Sequence, residues 1–422
     1  MLKLLKDKLS SKVVNNGIWM YLLQLFNTVI PLITLPYVTR ILGAEKYGIF
    51  STSFNIVGYL QVVVEYGFAM SATREIALNY TKKRLNKLFS TIVLARILLL
   101  VLCIIFSIIY LIFWHPDIIQ ILSYWLLSLM VLATVIQENW LFQGLEDMKY
   151  IAISNIIART VTMVLIFSYV RGVDDLLIYC YLYAVSPLIS NLLGLCIIKY
   201  KYNIKFVKIR VNDILEEIKN GWYIFTTQFT AKVFGAIGIT FLAFLDTSST
   251  VGIFSAIQKI PNALVLMWNP ISTVLYPIAS KKMKDSFFEG ERFVLHIRKY
   301  LLLVFLILIV LLSVFSYPIV KIAFGLSYAV NSSWLIPLLF WLLLSIDNNF
   351  WGIQILLGSG HDKEYSACFL ISVIATILFN FVFIKLWGGL GAAWAPIASE
   401  LLLDVLLIVA VKKIENKEKK SC

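Results

Sequence analysis

Apolar stretches of about 20 residues, the length that crosses a bilayer as a helix, recur from one end of this chain to the other. A mean hydropathy of +0.85 and a charged fraction of only 14% exclude an ordinary soluble protein. Backbone groups inside a bilayer must be satisfied within each segment, so such a chain folds as a bundle of helices. Nine ionisable residues nevertheless lie inside the apolar stretches: Glu65, Arg96, Glu138, Arg159, Lys232, Lys259, Asp347, Glu400 and Asp404. A charge near the bilayer centre costs about 2.5–3.5 kcal/mol on insertion scales, so nine facing lipid would cost roughly 20–30 kcal/mol, more than a typical folding stability. They must pair with one another or line a wet cavity, the arrangement that a transporter needs.

The apolar pattern predicts twelve transmembrane helices, over approximately 17–38, 48–70, 89–113, 119–143, 150–170, 176–198, 221–245, 251–275, 300–323, 333–357, 365–386 and 391–411. The first run is followed by no small-residue cleavage site and reads as a membrane helix, not a signal peptide. Before it, Met1–Lys12 sets Leu2, Leu5 and Leu9 on one helical face, a pattern that suits an interfacial helix. With twelve spans, most of the 37 Lys and Arg residues fall on one side of the membrane. That sorting places both termini in the cytoplasm, and an odd number of spans would scramble it. The formal charge of +13 is thus topological and does not point to nucleic acid.

A short repeat supports two lobes. Asn16-Gly17 precedes Gly48-Ile49-Phe50-Ser51, and Asn220-Gly221 precedes Gly252-Ile253-Phe254-Ser255 at the same offset. The expected architecture is an all-α integral membrane protein with two six-helix lobes, pseudo-two-fold symmetry and a central cavity. The N-terminal lobe spans 1–198, a basic cytoplasmic connector 199–220, and the C-terminal lobe with its basic tail 221–422. Pro31 and Pro36 in the first span, and Pro261, Pro270 and Pro277 in or just after the eighth, each remove a backbone hydrogen bond. They serve either as static kinks or as bending points during transport.

Depth along the spans sorts the charges, at about 1.5 Å per residue. Glu65 and Arg96 fall at similar depths on a hairpin and are placed to pair, and Glu138 and Arg159 stand in the same relation. Lys232 and Lys259 lie near mid-membrane with no acid at that depth on their own hairpin. They need an anion from another helix, cavity water or an anionic ligand. Asp347 is near the middle of span ten. Glu400 and Asp404, four residues apart on one face of span twelve, repel each other unless one is protonated or countered by a cation. They suit a proton or sodium coupling site, or pairing with Lys232 or Lys259.

No phosphate-binding glycine loop, ATPase motif or catalytic constellation is present, and Gly358-Ser359-Gly360 reads as a turn. Cys103, Cys180, Cys196, Cys368 and Cys422 are scattered, as are His115, His296 and His361, which predicts neither a disulfide framework nor a metal site. The chain is expected to be a non-enzymatic transporter, secondary or driven by a partner, without a cofactor beyond a coupling ion, H+ or Na+. Tryptophans such as Trp114, Trp140, Trp222, Trp334 and Trp387 near span ends are explained as interface anchors.

Three segments carry a resemblance. They are Leu35-Pro36-Tyr37-Val38-Thr39-Arg40-Ile41-Leu42-Gly43-Ala44-Glu45-Lys46-Tyr47-Gly48; Tyr66-Gly67-Phe68 with Ser71-Ala72-Thr73-Arg74-Glu75-Ile76-Ala77; and Asn139-Trp140-Leu141-Phe142-Gln143-Gly144-Leu145-Glu146 with Lys149-Tyr150. Along essentially its full length the chain resembles the bacterial polysaccharide transporter family. These are the O-antigen repeat-unit flippases of the multidrug/oligosaccharidyl-lipid/polysaccharide exporter superfamily. The resemblance implies a substrate of an undecaprenyl-pyrophosphate-linked oligosaccharide, moved from the cytoplasmic to the outer face of the bacterial inner membrane. The related lipid II flippase uses a cationic cavity for the pyrophosphate. Lys232 and Lys259 are the counterparts in function that this implies, with Arg159 and Arg96 as further cavity cations and Arg40 as a phosphate contact at the outer mouth. Glu65, Glu138, Asp347, Glu400 and Asp404 are then coupling or ion-pairing acids. Membrane lipids, a polysaccharide polymerase and a chain-length regulator are the implied partners. A cation-coupled multidrug exporter would favour acidic cavity residues instead. A polymerase would carry a large periplasmic loop, which the short outer loops do not offer, and in a scaffold of glycan assembly the buried charges would be dispensable.

Overall fold

The computed structural model describes residues 12–78, 81–114 and 116–421. The proposed interfacial segment before residue 12, His115 and Cys422 lie outside the described residues. Every regular element among the described residues is helical, and the chain divides into two compact units, Met1–Val233 and Phe234–Cys422.

The first unit begins with α1 (Lys12–Glu65), α2 (Phe68–Leu78), α3 (Lys82–Trp114) and α4 (Ile118–Val135). The short α5 (Asn139–Gly144), α6 (Lys149–Tyr169) and α7 (Leu176–Ile197) follow. A π-helical turn, Ile198–Tyr202, and an extended segment lead into α8 (Val211–Leu245), whose residues up to Val233 belong to this unit. α4 packs on α1 and α7, and α6 on α1 and α7, burying Val57, Leu127, Val131 and Ala158.

The second unit holds the rest of α8, α9 (Ser248–Ile257), α10 (Lys259–Asp285) and α11 (Phe287–Val314). It continues with α12 (Ser316–Phe324), α13 (Leu326–Ala329), α14 (Leu335–Asn349), a π-helical segment Phe350–Leu357 and α15 (Asp362–Ser421). Its core is built by Trp268, Phe305, Leu342, Phe350, Leu403 and Leu407.

Among the described residues, ten helical stretches are long and apolar enough to cross a membrane. Two of them, Val14–Leu78 and Asp362–Lys419, run for 65 and 58 residues. Straight helices of that length would reach roughly 90 Å, about three times the hydrocarbon core. Each is interrupted at a glycine in the left-handed region, Gly43 (φ 70°) and Gly388 (φ 55°), where a side chain would be strained. A Cβ on Gly388 would also lie 2.7 Å from Asp246 Oδ2.

The prolines act unequally. The eighth apolar run is broken at Gln258, between α9 and α10. Pro261 has no N–H for the carbonyl of Ile257, so the ladder fails there. Pro31 and Pro36, by contrast, are carried inside α1, and Pro270 and Pro277 inside α10.

The three motif segments are junctions. In the first, Tyr37 donates its hydroxyl to the Val170 carbonyl (2.8 Å) at the end of α6, and Gly43 makes the turn. In the second, Tyr66 (φ 52°) and Gly67 (φ 78°) make the left-handed corner between α1 and α2. Tyr66 there stacks on Phe225 of α8, with centroids 4.5 Å apart. In the third, Glu146 (φ 54°) turns the chain after α5, and its carbonyl accepts from Asn16 Nδ2 (2.8 Å). The next residue, Asp147, accepts from Lys201 Nζ (2.7 Å) and from the Tyr202 hydroxyl. Partial burial works to raise the Asp147 pKa, but those hydrogen bonds and the charges of Lys201 and Lys149 prevail and hold it below its ordinary value.

Candidate functional site

In the first unit the buried charges gather around the end of α1. Glu65 caps α2, its carboxylate accepting from the N–H groups of Gly67 (2.8 Å) and Ala69 (3.2 Å). Arg96 of α3 is 1% exposed and places Nη2 3.9 Å from Glu65 Oε1, the pair that the hairpin predicts. Arg96 also donates to the carbonyl of Gln137 at 2.5 Å. That carbonyl is available because the chain leaves helical form between α4 and α5.

Glu138 does not pair with Arg159. It is 2% exposed, within electrostatic reach of Arg96, and neither oxygen has a hydrogen-bond partner among the described residues. The break at 136–138 takes its side chain off the helical face that a continuous span would give it. The carboxylate packs instead against Gly194 of α7, where any Cβ would collide with it. Arg159, half-buried on α6, lies within electrostatic reach of Tyr183, and among the described residues no carboxylate of this unit comes within ion-pair distance of it.

Lys232 reaches from α8 toward the middle of α1. Its ammonium lies 5.7 Å from the centroid of the Tyr59 ring, within cation–π range. It rests against Gly58, where an added Cβ would stand 2.6 Å from Nζ. The missing side chain at Gly58 is what lets the ammonium approach the α1 backbone. Arg40 is exposed, three residues before the Gly43 turn.

The second unit holds Asp347, Glu400 and Asp404. Asp347 is engaged by Arg298 of α11 through two parallel bonds, Nε to Oδ1 and Nη2 to Oδ2, the latter 2.6 Å. The guanidinium also lies 5.0 Å from the Trp351 ring centroid. Glu400 is buried and accepts from Asn348 Nδ2 (2.5 Å) and Trp341 Nε1 (3.1 Å). Asp404 is half-buried within electrostatic reach of Asp347 and Arg298, with Oδ1 unpartnered among the described residues. Neither Glu400 nor Asp404 pairs with Lys259. Lys259 is the first residue of α10, exposed at the break after Gln258, and among the described residues no acid of its unit comes within ion-pair distance of it. Beside the acids, Gln354 Nε2 donates to Ser272 Oγ (3.0 Å), which donates to Asn349 Oδ1 (2.8 Å). Among the described residues no group of three or more His, Cys, Asp or Glu is placed to hold a metal ion.

Arg298, Asn348, Trp341 and Gly58 were not singled out by the sequence. Arg298 sits in a basic stretch that reads as a cytoplasmic loop, yet α11 carries it into the bundle. Its signal was the apolar run beginning two residues later. Gly58 had none.

The helices and buried charges define a multi-pass α-helical membrane protein. Residues 13–283 match the family described as polysaccharide biosynthesis protein, and the chain belongs to that family. The protein named "Putative O-antigen transporter" in Escherichia coli (strain K12) is 29% identical over 96% of this chain and 98% of its own. The protein of the same name in Shigella dysenteriae is 24% identical over 94% and 99%. Among solved structures, the lipid II flippase MurJ in an inward closed conformation superposes with a TM-score of 0.73. It is 15% identical over 94% of this chain and 87% of that one. An inward-facing multidrug resistance MATE family transporter of the MOP superfamily also gives 0.73, at 14% identity over 94% and 97%. The fold is therefore the one that MurJ and MATE transporters share. These relatives and neighbours are named as transporters or a flippase, none as an enzyme.

Proposed function

We propose that this protein is a flippase that carries an undecaprenyl-pyrophosphate-linked oligosaccharide repeat unit across the bacterial inner membrane by alternating access. Its movement is from the cytoplasmic to the outer face. The glycan is O-antigen or a related surface polysaccharide, as the names of the full-length relatives suggest. The observation that carries the reading is Lys232, a cation on a membrane helix that Gly58 admits to the α1 backbone. Keeping a lysine at that depth is expensive, and an anionic substrate gives the expense a purpose.

In this reading the long helices broken at Gly43 and Gly388 each cross twice. Twelve crossings result, with both termini in the cytoplasm and two lobes of six helices. Lys232 and Lys259 contact the pyrophosphate, Arg159 contributes to the same field, and Arg40 meets phosphate at the outer mouth. Arg96, held by Glu65 and the Gln137 carbonyl, serves structure first. Glu138, Glu400 and Asp404 are the acids left to exchange a coupling proton or sodium ion, since Asp347 is engaged by Arg298 and Glu65 caps a helix. A polymerase and a chain-length regulator are the partners that would take the product.

Reconstituted vesicles containing a fluorescent polyprenyl-pyrophosphate oligosaccharide test this. The wild type is expected to expose the glycan on the opposite leaflet, and Lys232→Ala with Lys259→Ala to slow it about tenfold or more, the loss of at least one charge-assisted contact. Unchanged flipping in the double variant overturns the lysine assignment. A wild type that moves no polyprenyl-linked glycan overturns the flippase reading.

A further inference from the structure

The hairpin of α10 and α11 carries a groove that none of the charges above explains. Ile271, Val274 and Ile278 form one wall, and Phe293, Ile297 and Leu301 the other. The first three recur at i, i+3 and i+7 and the second three at i, i+4 and i+8, so each wall is one helical strip. The cleft is shallow and open on its outer side, holds about 470 Å³ and has no polar lining residue. Pro270 lies at one end of it, and its wall residues Ile271, Val274 and Ile278 are exposed. A cleft left empty in a bilayer forfeits dispersion contacts along both walls, so a hydrocarbon chain fills it.

The other end of the groove is charged. Lys282, one turn beyond Ile278, holds its ammonium 4.8 Å from the centroid of Phe293, a groove wall. Lys281 and Lys284 flank it and are exposed. A lipid lying in the groove with its polar group toward this end meets a cation at the boundary between chain and headgroup. Lipid tails are as apolar as leucine, so burial alone cannot distinguish one chain from another in a membrane. Selectivity must come from shape and from the headgroup. The cation at the groove's end asks for an anionic headgroup.

Resting on the flippase reading above, we propose that this groove seats the isoprenoid chain of the polyprenyl-linked substrate, with its phosphate held at Lys282 before it passes to Lys232 and Lys259. A polyprenyl phosphate offers both parts, an apolar chain for the walls and an anionic head for Lys282; an anionic phospholipid offers the same two and is separated from it by the test below. Walls of Ile, Val and Leu offer methyl groups to a methyl-branched chain. About eight residues of each helix, roughly 12 Å, line the groove, so it takes the part of the chain nearest the phosphate.

Full-length protein in phosphatidylethanolamine nanodiscs is incubated with a polyprenyl monophosphate bearing a photoactivatable group near the head of its chain. Cross-linked peptides are then identified. Cross-links are expected within residues 270–301. Val274→Trp, which fills the groove, and Lys282→Gln, an exposed substitution that spares folding, are each expected to lower them about tenfold, as for one charge-assisted contact. Excess phosphatidylglycerol is expected not to displace the probe. Cross-links confined to other helices, insensitivity to both variants, or equal displacement by phosphatidylglycerol would each overturn the assignment. The flippase reading fails separately: a wild type that cross-links in the groove but flips no glycan loses that reading and keeps the site. Flipping without groove cross-links does the reverse.

Discussion

Arg96 shows what a buried charge requires in this membrane protein. It is nearly inaccessible, one carboxylate lies 3.9 Å away, and one backbone carbonyl accepts from it. Replacing it with alanine leaves Glu65 and Glu138 without their cation, and removing one partner of a buried pair costs about 3–5 kcal/mol. Arg96→Ala is therefore expected to unfold at markedly lower denaturant in detergent micelles, and Arg159→Ala, which breaks no ion pair, to shift far less. Lys232 should behave in the opposite way. A side chain at Gly58 would meet only the flexible end of the lysine, so Gly58→Val is expected to keep the fold and move the cation. Glycan flipping should fall about tenfold, as for a lost charge-assisted contact, with an unchanged unfolding midpoint. A lowered midpoint with normal flipping would refute that role. The Glu65–Arg96 pair was legible in the sequence because both residues lie on continuous helices of one hairpin, where depth follows residue number. Glu138–Arg159 was misjudged because three non-helical residues intervene, and Arg298–Asp347 was hidden because a basic stretch at a helix end reads as loop.

At the scale of elements, the junctions are the vulnerable points. Gly388 combines a left-handed backbone with Asp246 Oδ2 close to where a Cβ would stand. Gly388→Ala is expected to lose about 1–3 kcal/mol, read as a lower unfolding midpoint, whereas Gly235→Ala, with open space around it, should be close to neutral. The junction after α5 is tied by Asp147 to Lys201 and Tyr202. Its folded pKa lies below the ordinary 3.8, so its contribution is fully present above that value and disappears as the pH falls through the folded one. Asp147→Asn is accordingly expected to lower stability at pH 7 by at most about 1 kcal/mol, the worth of a partly exposed ion pair. The difference from wild type should vanish in unfolding curves recorded well below pH 4. Helix identity and approximate limits were legible because apolar runs of bilayer length have few alternative folds. The α9–α10 break could be anticipated from Pro261. The breaks at Gln137 and at the π-helical segment Phe350–Leu357 carry no comparable residue signal, since they are set by packing and by polar contacts such as Gln354 to Ser272.

For the whole molecule, the charge sorting and the glycine breaks bear on the same proposed topology from independent directions. Reading the 65- and 58-residue stretches as two crossings each turns ten membrane-capable helices into twelve. An even number returns the basic tail around Lys412 and Lys413 to the side of the N-terminus, as the positive-inside rule asks. If Gly43 were instead a kink within one crossing, every later loop would change sides, and the basic hairpin end at Lys281 and Lys282 would face outward; if Gly388 were, only the basic tail would change sides. Single cysteines decide the matter in a variant first cleared of its five native ones. Ala44→Cys, beside the Gly43 turn, is expected to react with an impermeant maleimide added to intact cells. Asn416→Cys and Lys284→Cys should react only after the inner membrane is opened. Labelling of Asn416→Cys in intact cells would remove the even count that this topology needs. Labelling of Lys284→Cys there would in addition put Lys282 on the outer side, so that the groove between α10 and α11 would receive its lipid from the outer leaflet, after transport and not before it.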